Sequence, residues 1–147
     1  MNNSRILLVE DNPDHQELTL MTLAENNVLN EIVAVSDGLE ALEYLFATGR
    51  YANRDAREVP ALILLDLKLP KLGGIEVLRR VREDERTRFV PVVVLTSSSE
   101  EEDVVASLQN GANSYVRKPV DFSRFVEQLQ RLQVYWLLVH EPMGGRK

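Results

Sequence analysis

The sequence predicts an α/β fold in which five strand–helix repeats build an open parallel sheet. Three observations carry that expectation. The apolar runs Ile6-Leu7-Leu8-Val9, Ala61-Leu62-Ile63-Leu64-Leu65 and Val92-Val93-Val94-Leu95 have the unbroken hydrophobicity of strands buried on both faces. Stretches with helical spacing separate them. Polar groups gather just past the run ends, where open α/β sheets bind their ligands: Glu10-Asp11, Asp66, Thr96 and, after Tyr115-Val116-Arg117, Lys118-Pro119.

Each element has its own signal. After the first strand, Asn12 is an N-cap and Pro13 suits the first helical position, where no amide hydrogen is needed. Leu18 and Met21, with Leu20, Leu23 and Ala24, supply an apolar face for helix one up to Asn26-Asn27. Strand two is Ile32 to Val35, and Ser36-Asp37-Gly38 turns into a helix with Leu39, Leu42 and Phe46 at helical spacing. Residues 48–60 show no period and exceed a compact link, so they extend the helix or form a surface loop. Beyond Asp66, Pro70 and Gly73-Gly74 make a sharp loop before a helix carrying Val77, Leu78 and Val81. Strand four covers residues 90–96. Ser99 with Glu102 reads as a capping box, and Gly111 ends that helix in a left-handed conformation. Asp121 caps a last helix whose stripe is Phe125, Val126, Leu129, Leu132, Gln133 and Trp136.

A length of 147 residues fits one domain, 1–147, with an extension from about 134 to the end. A composition of 44% hydrophobic and 27% charged residues is that of a globular chain. The net charge of −6 argues against direct nucleic-acid binding, which needs a basic surface. Absent cysteine excludes disulfides, thiolate catalysis and cysteine-ligated metals. The N-terminus lacks the pattern of a signal peptide and no run reaches membrane-spanning length, so a soluble, cytoplasmic protein without membrane attachment is expected.

The strand-end acids attract a cation. Adjacent Glu10 and Asp11 point in different directions, so one ion would meet Asp11 directly and Glu10 through water, with Asp66 and the backbone carbonyl of Leu67 completing the shell. Few carboxylates plus several waters is what magnesium prefers. The plainer alternative, that these acids only cap helices, is weakened by three like charges meeting at neighbouring strand ends. A bound divalent ion would orient Asp66 as a nucleophile, Lys118 would hold a phosphoryl oxygen, and Thr96 would donate a hydroxyl hydrogen bond. Together they specify a phosphoryl-accepting site.

With these residues in place the chain resembles, over almost all its length, the receiver domain of two-component response regulators. The motifs are Leu8-Val9-Glu10-Asp11-Asn12, Leu64-Leu65-Asp66-Leu67-Lys68-Leu69-Pro70, Val94-Leu95-Thr96-Ser97 and Val116-Arg117-Lys118-Pro119. The resemblance implies a flavodoxin-like, doubly wound (βα)5 sheet of order 2-1-3-4-5. It implies phosphorylation of Asp66 by a sensor histidine kinase, with Mg2+ held by Glu10, Asp11, Asp66 and the Leu67 carbonyl. It further implies a cis peptide at Lys118-Pro119 and a switch in which Thr96 moves toward the phosphoryl group and Tyr115 turns inward. Tyr115 in a strand is otherwise ordinary half-buried packing. Ser98 falls where the family tunes hydrolysis.

The long 48–60 connection, Lys68 and the ending Val134-Tyr135-Trp136-Leu137-Leu138-Val139 look like stand-alone regulators paired with phytochromes. The expected function is a phosphoacceptor signalling protein, not an enzyme acting on an outside substrate. Alternatives are a relay intermediate passing phosphate to a histidine phosphotransfer protein, or a magnesium-dependent aspartyl-phosphate hydrolase. A dehalogenase-type hydrolase would want an aspartate where Lys68 stands, and a flavodoxin-like cofactor protein would want no acids after strand one. His15 and His140 read as surface residues rather than ligands. The unbroken apolar ending predicts an exposed patch, and with it a homodimer through Tyr135, Trp136 and Leu138, joined to the face of helix four, strand five and helix five.

Overall fold

The computed structural model describes residues 5–97 and 101–138, without the side chains of Glu101, Glu102 and Trp136. The elements are β1 (Ile6–Val9), α1 (Pro13–Glu25), β2 (Ile32–Val35), α2 (Gly38–Phe46), β3 (Leu62–Asp66), α3 (Gly74–Glu83), β4 (Val92–Thr96), α4 (Glu101–Gln109), β5 (Ser114–Arg117) and α5 (Phe122–Arg131). Single 3-10 turns follow α2 (Gly49–Tyr51) and α5 (Tyr135–Leu137). The sheet is parallel throughout, in the order β2-β1-β3-β4-β5. Val9 pairs with both Val35 and Leu65, Asp66 with Leu95, and Thr96 with Arg117, so the strand ends share one edge.

Alternation along the strands divides the core in two. Leu7, Val9, Ile63, Leu65, Val92 and Val94 face α2 and α3, meeting Ala41, Leu42, Leu45, Val77, Leu78 and Val81. Ile6, Leu8, Leu62, Leu64, Val93 and Leu95 face the other way, toward Leu23 of α1 and Phe125 and Leu129 of α5. Covering both faces is the only way to bury a sheet this apolar.

The capping signals are realised. Asn12 Oδ1 accepts the amides of Asp14 and His15 at 2.9 and 3.2 Å, Asp37 Oδ1 that of Glu40 at 2.7 Å, and Asp121 Oδ1 that of Ser123 at 2.9 Å. Each contributes about 1 kcal/mol. Gly111 has the left-handed φ of +113° after α4. The Ser99 capping box, Ser98 and His140 lie outside the described residues.

Three expectations need correction. The apolar face of α1 is narrower than its sequence: Thr19 and Leu23, one turn apart, are buried, while Leu18 and Met21 are half exposed. Helix α2 turns Ala41, Leu42, Tyr44 and Leu45 inward and leaves Leu39 outside. Helix α5 stops at Arg131, so Gln133 and Trp136 do not continue its stripe. Gln133 takes a left-handed φ of 61°, the Val134 amide bonds back to the Leu129 carbonyl at 2.9 Å, and the chain reverses. Leu138 then packs into the core beside α1 and α5, 5% exposed, with Val134 and Tyr135 against the same cluster. Leu138 is therefore a core residue and not part of an exposed patch.

The 48–60 segment is a surface loop strapped to α2. The Tyr51 ring meets Tyr44 edge-on at 5.2 Å and its hydroxyl donates to Glu40 at 2.7 Å. Arg54 stacks on Tyr44, 4.0 Å from the ring centre, and donates to the carbonyls of Tyr44 and Glu58. At the end of α3, Arg82 donates to the carbonyls of Gly111, Val90 and Arg88 and to Asn113 Oδ1, at 2.9, 2.7, 3.0 and 2.9 Å. Burial pushes its pKa down. Among the described residues no helix is long and apolar enough to cross a membrane.

Candidate functional site

Four strand ends and two loops deliver the site. Glu10 follows β1, where its amide bonds the Val35 carbonyl at 3.0 Å, and its side chain is fully buried. Asp11 beside it is exposed, and Asp66 ends β3 at 6% exposure. One carboxylate oxygen from each lies within 4.8 Å of the others, a spacing that fits a single cation. Gly74 permits this crowding: a Cβ there would lie 2.6 Å from the Asp66 carbonyl, so only glycine lets the start of α3 approach so closely.

Lys118 reaches the cluster from the loop after β5, its amide tied to the Thr96 carbonyl at 2.9 Å and its bond to Pro119 cis. Its Nζ donates to Glu10 Oε1 at 2.8 Å and Asp66 Oδ2 at 3.2 Å. Burial opposes the lysine's charge, yet the hydrogen bond to Glu10 and the charge of Asp66 outweigh it and hold the pKa above its usual value. Glu10 is harder to ionise than an ordinary glutamate, first because it is buried and then because Asp66 repels it, although the Lys118 bond works the other way. The arrangement therefore keeps the ammonium charged against crowded acids.

The other expected residues are distributed around this centre. Thr96 is buried at the end of β4, and Tyr115 on β5 stands 36% exposed. The Leu67 carbonyl accepts the Gly74 amide at 3.0 Å within the β3–α3 loop. The Lys68 amide donates to Asp66 Oδ1 at 3.2 Å, while its side chain reaches 3.9 Å from Asp103 on α4, an exposed pair worth little. His15 was missed as a site residue: its Nδ1 lies 3.0 Å from Lys118 Nζ. The available signal was its place as the third residue after the Asn12 cap, since helical side chains lean toward the N-terminus. His15, Leu18, Thr19, Ser97, Lys118, Pro119 and Val120 line a cleft of about 200 Å³ beside the cluster.

A doubly wound sheet with acids, a hydroxyl and a lysine at its carboxyl edge defines a receiver, and residues 6–130 match the response regulator receiver domain; the chain belongs to that family. Among solved structures it is similar to the bacteriophytochrome response regulator AtBRR, 50% identical with a TM-score of 0.85, covering 96% of this chain and 100% of that one. It is also similar to the phosphorylated cyanobacterial phytochrome response regulator RcpA, 39% identical with a TM-score of 0.74, over 92% of this chain and 95% of that one. Response regulator Rcp1 of Synechocystis sp. is 37% identical over 132 residues, 90% of this chain and 88% of its own length. A solved structure of Rcp1 is its Mn2+-bound form, with a TM-score of 0.73.

Proposed function

We propose that this protein accepts a phosphoryl group on Asp66 from a sensor histidine kinase of the phytochrome type and signals through a protein surface that phosphorylation alters. The observation that carries the reading is the Lys118 ammonium joining Glu10 to Asp66 beside a three-carboxylate cluster. Similarity to AtBRR, RcpA and Rcp1 supports the choice of kinase. We take residues 1–147 as one receiver domain with an extension from about 134.

In the proposed step a carboxylate oxygen of Asp66 attacks phosphorus. A P–O bond forms, the bond from phosphorus to the donor's imidazole nitrogen breaks, and the electron pair leaves with that nitrogen. Lys118 balances the charge that gathers on the phosphoryl oxygens, and the Thr96 hydroxyl donates to one of them. In the second step water attacks the same phosphorus, the bond from the Asp66 oxygen to phosphorus breaks, its electron pair returns to the carboxylate and inorganic phosphate leaves.

Three carboxylates against one ammonium leave two negative charges, which fits a divalent cation. Glu10, Asp11 and Asp66 would hold Mg2+, whose chemistry there is to neutralise and orient the phosphoryl oxygens. The Leu67 carbonyl would add a backbone oxygen, its second lone pair remaining beside the bond that it accepts from the Gly74 amide. Tyr115, outward here, is the side chain we expect to turn inward after Thr96 shifts. For the homodimer, exposed Val105, Leu108 and Tyr115 on α4 and β5 support that face better than the buried Leu138 does.

Incubation with acetyl phosphate and Mg2+ tests the reading. Wild type should gain one phosphoryl group by intact mass, labile to base and to hydroxylamine as an acyl phosphate is, and Asp66→Asn none. An aspartyl phosphate that persists in the variant would refute the assignment. Transfer from a phytochrome kinase should follow its light state, and faster transfer from a light-insensitive kinase would count against that partner.

A further inference from the structure

Lys118 has three N–H bonds, and each meets an acceptor: Glu10 Oε1 at 2.8 Å, Asp66 Oδ2 at 3.2 Å and His15 Nδ1 at 3.0 Å. The first two carry the chemistry proposed above, and the third has no role in it. An ammonium has no lone pair, so in this contact the imidazole accepts through Nδ1 and carries its ring proton on Nε2. His15 is placed for this by its helix. It is the third residue after the N-cap, its amide is held by Asn12 Oδ1 at 3.2 Å, and its side chain leans back over the end of β1. The same Nδ1 lies 4.0 Å from Glu10 Oε2, whose own donor is the Asn12 amide at 3.2 Å. Leu18, Pro119 and Val120 line the adjoining cleft with apolar surface, while the imidazole itself is 39% exposed, so water competes for the contact and the variants below measure what the imidazole adds.

Resting on the phosphoacceptor reading above, we propose that His15 is a positioning residue that holds the Lys118 ammonium between Glu10 and Asp66 through its Nδ1 lone pair. With two of its hydrogens fixed by Glu10 and His15, the ammonium presents the third to the acceptor oxygen of Asp66. As a phosphoryl group arrives, that one bond passes to a phosphoryl oxygen without rotation of the lysine stem, whose flexibility is otherwise large. Removing the imidazole frees the ammonium to sample positions that do not face phosphorus.

Two variants test this. His15→Leu removes the acceptor, and His15→Asn supplies a side-chain carbonyl oxygen close to the Nδ1 position. The first readout is the 15N-resolved Lys118 ammonium signal of the unphosphorylated protein, expected in wild type and His15→Asn and broadened away by rapid exchange in His15→Leu. The second is phosphorylation by acetyl phosphate, resolved into rate at saturating donor and Mg2+ affinity. His15→Leu should lose about tenfold in saturated rate, the scale of one hydrogen bond to a charged group, with Mg2+ affinity unchanged, and His15→Asn should recover most of it. A His15→Leu protein with the wild-type rate overturns the role of His15 alone. So does a folded His15→Asn protein as slow as His15→Leu, because the imidazole then serves only packing. A wild-type protein that takes no phosphate overturns the phosphoacceptor reading and this role with it, and the ammonium signal then reports the contact separately.

Discussion

Replacing Lys118 by methionine keeps the length of its stem and deletes the only cation bonded to Glu10 and Asp66 among the described residues. Glu10 is then buried without its partner, and breaking a buried pair from one side typically costs about 3–5 kcal/mol. The structure sets a tighter ceiling. Glu10 can escape by taking a proton, and from its ordinary value of 4.5 that costs about 3.4 kcal/mol at pH 7, at about 1.36 kcal/mol per pH unit. At pH 5 the same escape costs about 0.7 kcal/mol. In the variant the folded-state pKa of Glu10 rises further above 4.5. A carboxyl raised in the folded state contributes its stability fully below its unfolded value and loses it as pH rises, so the deficit relative to wild type should grow from pH 5 to pH 7. Urea unfolding followed by circular dichroism at several pH values measures it. The expected loss is about 3 kcal/mol at pH 7, falling below about 1 kcal/mol at pH 5, with millimolar Mg2+ recovering part of the loss at pH 7. A loss that is the same at both pH values would refute the claim that Lys118 compensates the charge of Glu10.

Arg82→Ala should cost about 2–4 kcal/mol, because it strips a donor from four acceptors at the joint of α3, β4 and the loop before β5. Arg82→Lys should recover little, since an ammonium cannot reproduce the planar fork, and full recovery by denaturant midpoint would contradict this geometry. Leu138→Ala should destabilise the folded chain by about 2–4 kcal/mol while leaving its sedimentation unchanged, and the opposite pattern would restore Leu138 to an interface. Tyr51 should titrate at about 12 because burial and its bond to Glu40 both oppose ionisation. Its contribution is intact below pH 10 and fades as pH rises toward 12. Ultraviolet titration should show a late tyrosine step that Tyr51→Phe removes, and a step that survives in Tyr51→Phe would place it elsewhere.

The strands and the acids were legible in the sequence because they depend on local rules. A strand buried on both faces must be apolar throughout, and β1 lies where its run predicted, at Ile6–Val9; the edge strand β2, only partly buried, also keeps its expected bounds, Ile32–Val35. Strand β4 begins at Val92 and not at residue 90, since Pro91 has no amide to pair. Caps at Asn12, Asp37 and Asp121 are likewise short-range chemistry, fixed by bonds spanning two or three residues. Glu10, Asp11, Asp66, Thr96 and Lys118 could be chosen because each ends or follows a strand, and parallel pairing then brings such ends to one edge.

Tertiary structure alone decided what depended on a partner distant in sequence. The inward faces of α1 and α2 follow from how each helix leans on the sheet, so Leu18 and Leu39 are exposed although their spacing suits a core. Arg54 in the 48–60 loop is basic in sequence and spent on Tyr44 in the fold. His15 and Lys118 stand 103 positions apart, and only the return of the chain through β5 sets the imidazole on the ammonium. The terminal apolar segment read as an exposed patch because hydrophobicity says that a residue will be covered without saying by what. A left-handed turn at Gln133 supplied the answer by carrying Leu138 back onto the core beside α1 and α5, since burial is non-directional and the backbone determines which surface a side chain reaches.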